Sequence, residues 1–182
     1  IHYVIEEEPK GVHHALNLAR PHVEGSRVLV YFSDNITTIE FTEAVTEFRA
    51  AEDPPGCRLV GRDVEDPERF GVAVFDEDGG LIDIVEKPKD PPSSFAIGGI
   101  YLFDETFWSR LDAAVATGDG GVSITDVNRT YVAEGGAKII DWPDSLWIDC
   151  GTPDALLEAA KYAESGRLSP LPCNLREGDY LP

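Results

Sequence analysis

Residues 71–88 read GVAVFDEDGGLIDIVEKP. Two arms in which apolar and polar residues alternate enclose an Asp-Gly-Gly turn, the pattern of a β-hairpin. At the close of the second arm Glu86, Lys87 and Pro88 stand together. By themselves these charges admit two readings. They are the solvated end of a hairpin arm, or Lys87 is a point-charge ligand for an anion and Glu86 an acceptor for hydroxyl groups.

The hairpin interrupts an alternation of strand-like and helix-like segments that sets the fold class. Before it come HYVIEE (2–7), read as a short strand, and GVHHALNLARPHV (11–23), a helix stopped near Pro21. RVLVYFS (27–33) is a continuous apolar run of the kind buried on both faces of a parallel sheet. Phe41, Ala44, Val45, Phe48 and Ala51 recur at helical spacing, and GCRLVGRDV (56–64) is a further strand. After the hairpin, FAIGGIYLF (95–103) predicts a strand, followed by a helix carrying Phe107, Trp108, Leu111 and Val115. SITDVNRTYVAEGG (123–136) opens close to a capping box, Ser123 with Asp126, and sets Ile124, Val127 and Tyr131 on one face. AKIIDW (137–142) and SLWID (145–149) are short strands. TPDALLEAAKYAESG (152–166) has Thr152 as N-cap, Pro153 at the first helical position and Gly166 past the end. The alternation predicts an α/β sheet covered by helices on both faces, with a hairpin insertion. The expected domain is 1–166, with 167–182 an irregular Pro- and Gly-rich tail.

Composition narrows the classes of function. The 182 residues carry 34 acidic and 15 basic side chains, a formal net charge of −19. Such a chain offers no basic face to neutralise phosphates, which excludes nucleic-acid binding, and it does not suit an anionic membrane. The acids are spread over the presumed helix surfaces, a pattern that suits a cytoplasm of high salt. Cys57, Cys150 and Cys173 form no even framework and no CxxC pair, so they are expected to be reduced cytosolic thiols. No apolar run exceeds strand length, so no transmembrane helix is expected.

Ligands of open α/β sheets bind at the carboxyl ends of strands. Asp34 follows RVLVYFS and Asp149 follows SLWI. Two such carboxylates can share one hard cation such as Mg²⁺, or each can merely start a turn or cap a helix. Gly71, Gly98 and Gly99 are bulges, or places where backbone approaches a ligand. His13 and His14 are adjacent and cannot share one helix face. There is no GxSxG elbow and no GxxxxGK[ST] loop.

Taken in order, SDN (33–35), DPERFGV (66–72), EKP (86–88), FAIGGIYLFD (95–104), SITDVN (123–128) and WIDCGTPD (147–154) resemble the sugar-1-phosphate nucleotidyltransferases, most closely their glucose-1-phosphate thymidylyltransferase branch. The resemblance spans residues 1 to about 166. It implies a Rossmann-like α/β fold and Mg²⁺, with a sugar 1-phosphate attacking the α-phosphorus of a nucleoside triphosphate and releasing pyrophosphate. It implies that Asp34 and Asp149 bind the metal and that Gly71 and Glu86 contact the sugar. Lys87 would hold the sugar's phosphate, Ile97 and Tyr101 would line the sugar side, and Gly11 would pack near the base.

The sequence also departs from that pattern. The family opens on a strand and a glycine-rich loop, GGxGTRLxP, whose amides and cationic side chains hold the triphosphate, and these 182 residues contain no such loop. The expectation is therefore a portion of a longer enzyme, inactive alone, or else a non-catalytic sugar-phosphate-binding or regulatory relative. Ser33 stands where the family has glycine, and Asp119 aligns with a basic residue that helps hold the sugar phosphate. Without the opening βα portion the RVLVYFS strand would expose an apolar edge, from which a homo-oligomer is expected.

Overall fold

The computed structural model describes residues 2–51, 55–117 and 121–168. Its elements are α1 (Val12–Val23), β1 (Val28–Tyr31), β2 (Asn35–Thr37), α2 (Thr42–Ala50), β3 (Cys57–Asp63), β4 (Gly71–Phe75), β5 (Leu81–Glu86) and β6 (Phe95–Phe103). They continue with α3 (Phe107–Thr117), α4 (Ile124–Ala133), β7 (Ala137–Asp141), β8 (Trp147–Asp149) and α5 (Pro153–Glu164). Asp119, Cys173 and residues 169–182 of the tail lie outside the described residues. The chain divides into two compact units, Ile1–Phe32 with Glu40–Asp144, and Ser33–Ile39 with Ser145–Pro182.

The first unit holds a six-stranded sheet built around β6. Eight of the nine β6 residues are buried, because both faces of this strand are covered. β3 pairs with β6 antiparallel along its length and with β7 in parallel. On the other side of β6, β4 takes Ala96 and Ile97, and β1 takes Ile100–Phe103. β4 and β5 form the hairpin that the sequence predicts, with Gly71 opposite Glu86. Its turn is held by Asp76, whose Oδ1 accepts from Asp78 N at 3.0 Å and Gly80 N at 2.6 Å.

On one face α3 and α4 close the core. Phe103 stacks on Phe107 at 4.4 Å and on Tyr131 at 5.7 Å. Ile124, Val127 and Tyr131 are buried, as the helical spacing predicts, whereas Val115 is exposed and Ala114 takes the buried place on α3. Asp104, 1% exposed, accepts from Gly56 N, Thr106 N, Thr106 Oγ1 and Tyr131 Oη, so the β6–α3 turn is tied to α4 by one carboxylate. On the opposite face α2 buries Phe48 beneath the Arg58 guanidinium. Arg27 satisfies the last carbonyls of that helix, donating to Phe48 O at 2.6 Å and Ala51 O at 3.0 Å.

Three expectations are corrected. RVLVYFS is not a strand buried on both faces: among the described residues Val28–Tyr31 pairs only with β6, antiparallel, and leaves Leu29 42% and Tyr31 39% exposed. A continuous apolar run cannot distinguish a central strand from an edge strand, since aromatic and aliphatic side chains are tolerated on either face. HYVIEE forms no strand; Tyr3 and Ile5 are exposed, and no described strand pairs with the segment. Pro21 does not stop α1, which runs to Val23. In the last turn proline withholds one donor, from the Asn17 carbonyl, and Glu24 N still closes on Arg20 O at 2.8 Å.

In the second unit β2 and β8 form an antiparallel ribbon in which Asn35 faces Asp149. Trp147 Nε1 donates to Asn35 Oδ1 at 2.7 Å, which holds Asn35 at 5% exposure. α5 begins as the sequence predicts, with Thr152 accepting from Ala155 N and Pro153 first, and Gly166 after it has φ 73°.

Candidate functional site

The hairpin register makes the first part of the site. Gly71 pairs with Glu86 on one side and Ile97 on the other, and Ile97 pairs with Gly61 beyond it. Residues paired across strands share a face, so Glu86, Gly71, Ile97 and Gly61 form one row. Two of the four carry no side chain; the Phe95 ring covers the place a Cβ would take at Gly61, and Ile97, 5% exposed, belongs to the core. A Cβ at Gly71 would lie 3.2 Å from Thr125 Oγ1 and 3.5 Å from Glu86 Oε2, so β4, β5 and α4 meet closely here. Thr125 Oγ1 donates to Glu86 Oε2 at 2.5 Å.

Lys87 follows with φ 44°, the only non-glycine residue with positive φ among the described residues. Its amide closes the ladder on Phe70 O at 2.9 Å. A lysine gains no local hydrogen bond from the left-handed conformation, so the backbone strain here is imposed by the surrounding structure, as at ligand-holding positions. The Lys87 ammonium is exposed and has no carboxylate within ion-pair reach among the described residues. The corner thus presents one cation and one carboxylate, side by side at a strand's end.

The same sheet forks close by. β4 leaves β6 after Ile97, and β1 reaches only to Ile100, with Phe32 N donating to Gly99 O at 2.8 Å. The parting at Gly98–Gly99 is the kind of switch point where sheets of this class take ligands. Ile97 borders it. Tyr101 is four residues on, roughly 13 Å along the strand, with its ring against Phe32 at 5.8 Å and Phe103 at 5.7 Å. Gly11 is the N-cap of α1, at φ 96° and beside the His13 ring.

In the second unit the ribbon register brings Asp34 and Asp149 to one end. Cys150 N donates to Asp34 O at 2.7 Å. Each carboxylate has an oxygen tied to a local donor: Asp34 Oδ1 takes Asn35 Nδ2 at 2.8 Å, and Asp149 Oδ1 takes Gly151 N at 3.2 Å. Partial burial, then the charges of Asp149 and Asp34, push the Cys150 thiol above its ordinary range. Two hard oxygen donors fit a divalent cation that keeps waters and substrate phosphates as its remaining ligands. Among the described residues no group of three or more His, Cys, Asp or Glu side chains gathers as a fuller cage.

The profile of the family described as Nucleotidyl transferase matches residues 1–166. The chain belongs to that family. A glucose-1-phosphate thymidylyltransferase from Xanthomonas campestris pv. campestris strain B100 is 34% identical over 167 residues, 91% of this chain and 56% of its own length. The low-salt glycan biosynthesis nucleotidyltransferase Agl11 of Haloferax volcanii is 29% identical over 87% of this chain and 44% of its own. Among solved structures, one described as a glucose-1-phosphate thymidylyltransferase from Bacillus anthracis, in complex with a sucrose, superposes with a TM-score of 0.79. It is 31% identical over 97% of this chain and 67% of that one. The chain spans about half the length of the curated relatives it matches. The mixed α/β sheet with flanking helices is the nucleotidyltransferase fold that the motif order implies.

Sequence reasoning missed two buried polar residues, both on α4. Thr125 lies inside the quoted SITDVN motif, but a threonine in a capping segment carries no sign of a long-range partner. Asn128, 1% exposed with neither end of its amide bonded to a protein group, sits one turn on in the buried stripe. Its polarity amid Ile124, Val127 and Tyr131 was the available signal. Asp119 lies outside the described residues.

Proposed function

We propose that the protein transfers a nucleoside monophosphate, from dTTP, to a sugar 1-phosphate, glucose 1-phosphate, with release of pyrophosphate, as part of a longer enzyme. The observation that carries this reading is the corner of Glu86 and Lys87, built on a glycine and held in a strained backbone conformation with its ammonium unpaired among the described residues. Lys87 holds the sugar's phosphate as a point charge, while Glu86 accepts hydrogen bonds from the sugar hydroxyls. Gly71 and Ile97 form the floor beneath the sugar, Tyr101 supports its far side, and Gly11 approaches the base. Asp34 and Asp149 would hold Mg²⁺, which supplies neutralisation of phosphate charge when bound. The residues of this chain otherwise act by positioning, which phosphoryl transfer chiefly requires. The names of the relatives support the choice of dTTP and glucose 1-phosphate.

The test is pyrophosphate release by the natural polypeptide that carries residues 1–182, with Mg²⁺, glucose 1-phosphate and each nucleoside triphosphate in turn. Release with dTTP that is lost in Asp149→Asn is expected. A folded enzyme that releases none, with any triphosphate, would refute the reading.

The charge of −19 supports a cytoplasmic setting of high salt. Melting temperature should rise on addition of potassium chloride, and a fall would overturn that. Among the described residues no helix is long and apolar enough to cross a membrane. Leu156 and Leu157, 60% and 56% exposed on α5, support a homo-oligomer, and a monomer by light scattering would refute it.

A further inference from the structure

The bond from Thr125 to Glu86 joins a buried donor to an exposed acceptor. Thr125 is 5% exposed, whereas Glu86 lies at the open end of β5. An exposed glutamate needs no protein partner, because water serves it, and a bond there adds little to stability. Placing a hydroxyl inside a helix–sheet contact is unfavourable unless it is bonded. The bond therefore satisfies the buried hydroxyl and, at its other end, fixes the direction of Glu86.

Thr125 is itself fixed from several directions. The capping box sets the first turn of α4, with Ser123 N donating to Asp126 Oδ2 at 2.8 Å and Asp126 N to Ser123 Oγ at 3.3 Å. Arg129, one turn on, donates to Asp83 Oδ1 on β5 at 2.8 Å, tying helix to strand beside the site. Ile124 and Val127, on either side in sequence, are buried. A β-branched side chain on a helix has few χ1 choices, so the hydroxyl has little freedom to turn away.

We infer that Thr125 is the positioning residue for Glu86: its hydroxyl proton occupies Oε2 and presents Oε1, oriented, to a hydroxyl of the bound sugar. The inference rests on the sugar 1-phosphate reading above and adds the origin of its selectivity. Glutamate has three rotatable side-chain bonds, and ordering them before binding removes that cost from the binding step. Gly71 lies beside the same pair: a Cβ there would crowd Thr125 Oγ1 at 3.2 Å and touch Glu86 Oε2 at 3.5 Å.

Calorimetry with two probes, glucose 1-phosphate and inorganic phosphate, tests this. Thr125→Val should weaken glucose 1-phosphate roughly fivefold to thirtyfold and leave inorganic phosphate, which needs only the cation, unchanged. Thr125→Ser should restore binding to within about threefold, because the donor returns. In a Glu86→Ala background Thr125→Val should change affinity by less than about twofold, since the residue acts through Glu86. If Thr125→Val does not fold, Thr125→Ala replaces it in the same cycle. Equal weakening of both probes, or the same factor with and without Glu86, would show a structural role only and overturn the inference. A wild-type protein that ignores glucose 1-phosphate would refute the sugar reading and this inference with it. Wild-type binding beside an unaffected Thr125→Val would refute the inference alone.

Discussion

Lys87 combines a functional charge with a strained backbone, and the two can be separated by comparing glycine with alanine at that position. A left-handed residue with a Cβ costs about 1–2 kcal/mol, and the lysine at φ 44° bears that cost. Lys87→Ala keeps the Cβ and the strain; Lys87→Gly removes both. Glycine loses about 0.5–1 kcal/mol through the greater freedom of its unfolded chain. Taken against the relief, the glycine variant should be more stable than the alanine variant by up to about 1.5 kcal/mol. For a domain of this size that corresponds to a melting temperature up to about 6 °C higher. Both variants lose the ammonium. A hydrogen bond to a charged group is worth about 1.5–3 kcal/mol, so affinity for glucose 1-phosphate should fall roughly tenfold to a hundredfold in each.

The assay is a pair of measurements on the same three proteins, thermal unfolding by circular dichroism and titration calorimetry. The expected pattern is opposite in the two columns: the glycine variant melts higher than the alanine variant, yet binds no better. A glycine variant that melts below the alanine variant would show that the backbone at residue 87 is not strained. The conformation of Lys87 would then carry no sign of ligand binding. Wild-type affinity in either variant would show that the lysine does not hold phosphate, whatever its backbone does.

Asp104→Ala strands four donors, Gly56 N, Thr106 N, Thr106 Oγ1 and Tyr131 Oη, and should cost about 3–5 kcal/mol in urea unfolding; a loss under about 1 kcal/mol would contradict the network. Burial pushes the Cys57 thiol from 9.0 up to about 12 and raises the Tyr131 hydroxyl as well, so the unfolded chain releases these protons first. Their contribution is therefore complete below pH 9.0 and is lost as pH rises toward about 12. Cys57→Ala should flatten the decline in stability over that window, and an unchanged slope would show that the thiol takes no part. Asp34→Asn should raise the Mg²⁺ concentration needed for pyrophosphate release about tenfold or more, and an unchanged dependence would remove that aspartate from the site.

The parts of the molecule legible in the sequence are those whose signals are local. The Asp-Gly-Gly turn, the Ser123–Asp126 box and the Thr152–Pro153 start each need only a few neighbouring residues, and each forms as read. The status of RVLVYFS depends on which strands lie on either side, which no local pattern encodes, and among the described residues it has one partner strand, β6. The left-handed backbone at Lys87 was hidden for the same reason: lysine carries no preference for it, so only the surrounding structure can impose it.

The site itself shows why local reading ended at Glu86. Motif order named Gly71, Glu86 and Lys87 as functional but could not say how a flexible carboxylate on an exposed strand end is aimed. That answer lies 39 residues away on α4, in a threonine whose hydroxyl meets Glu86 beside a glycine of β4. A contact among three elements leaves no periodicity in any one of them. What it does leave is a polar side chain inside an otherwise apolar helix face, first Thr125 and then Asn128. Where buried polarity interrupts a stripe that packing alone would fill with aliphatic residues, its partner is to be sought across the sheet rather than along the helix.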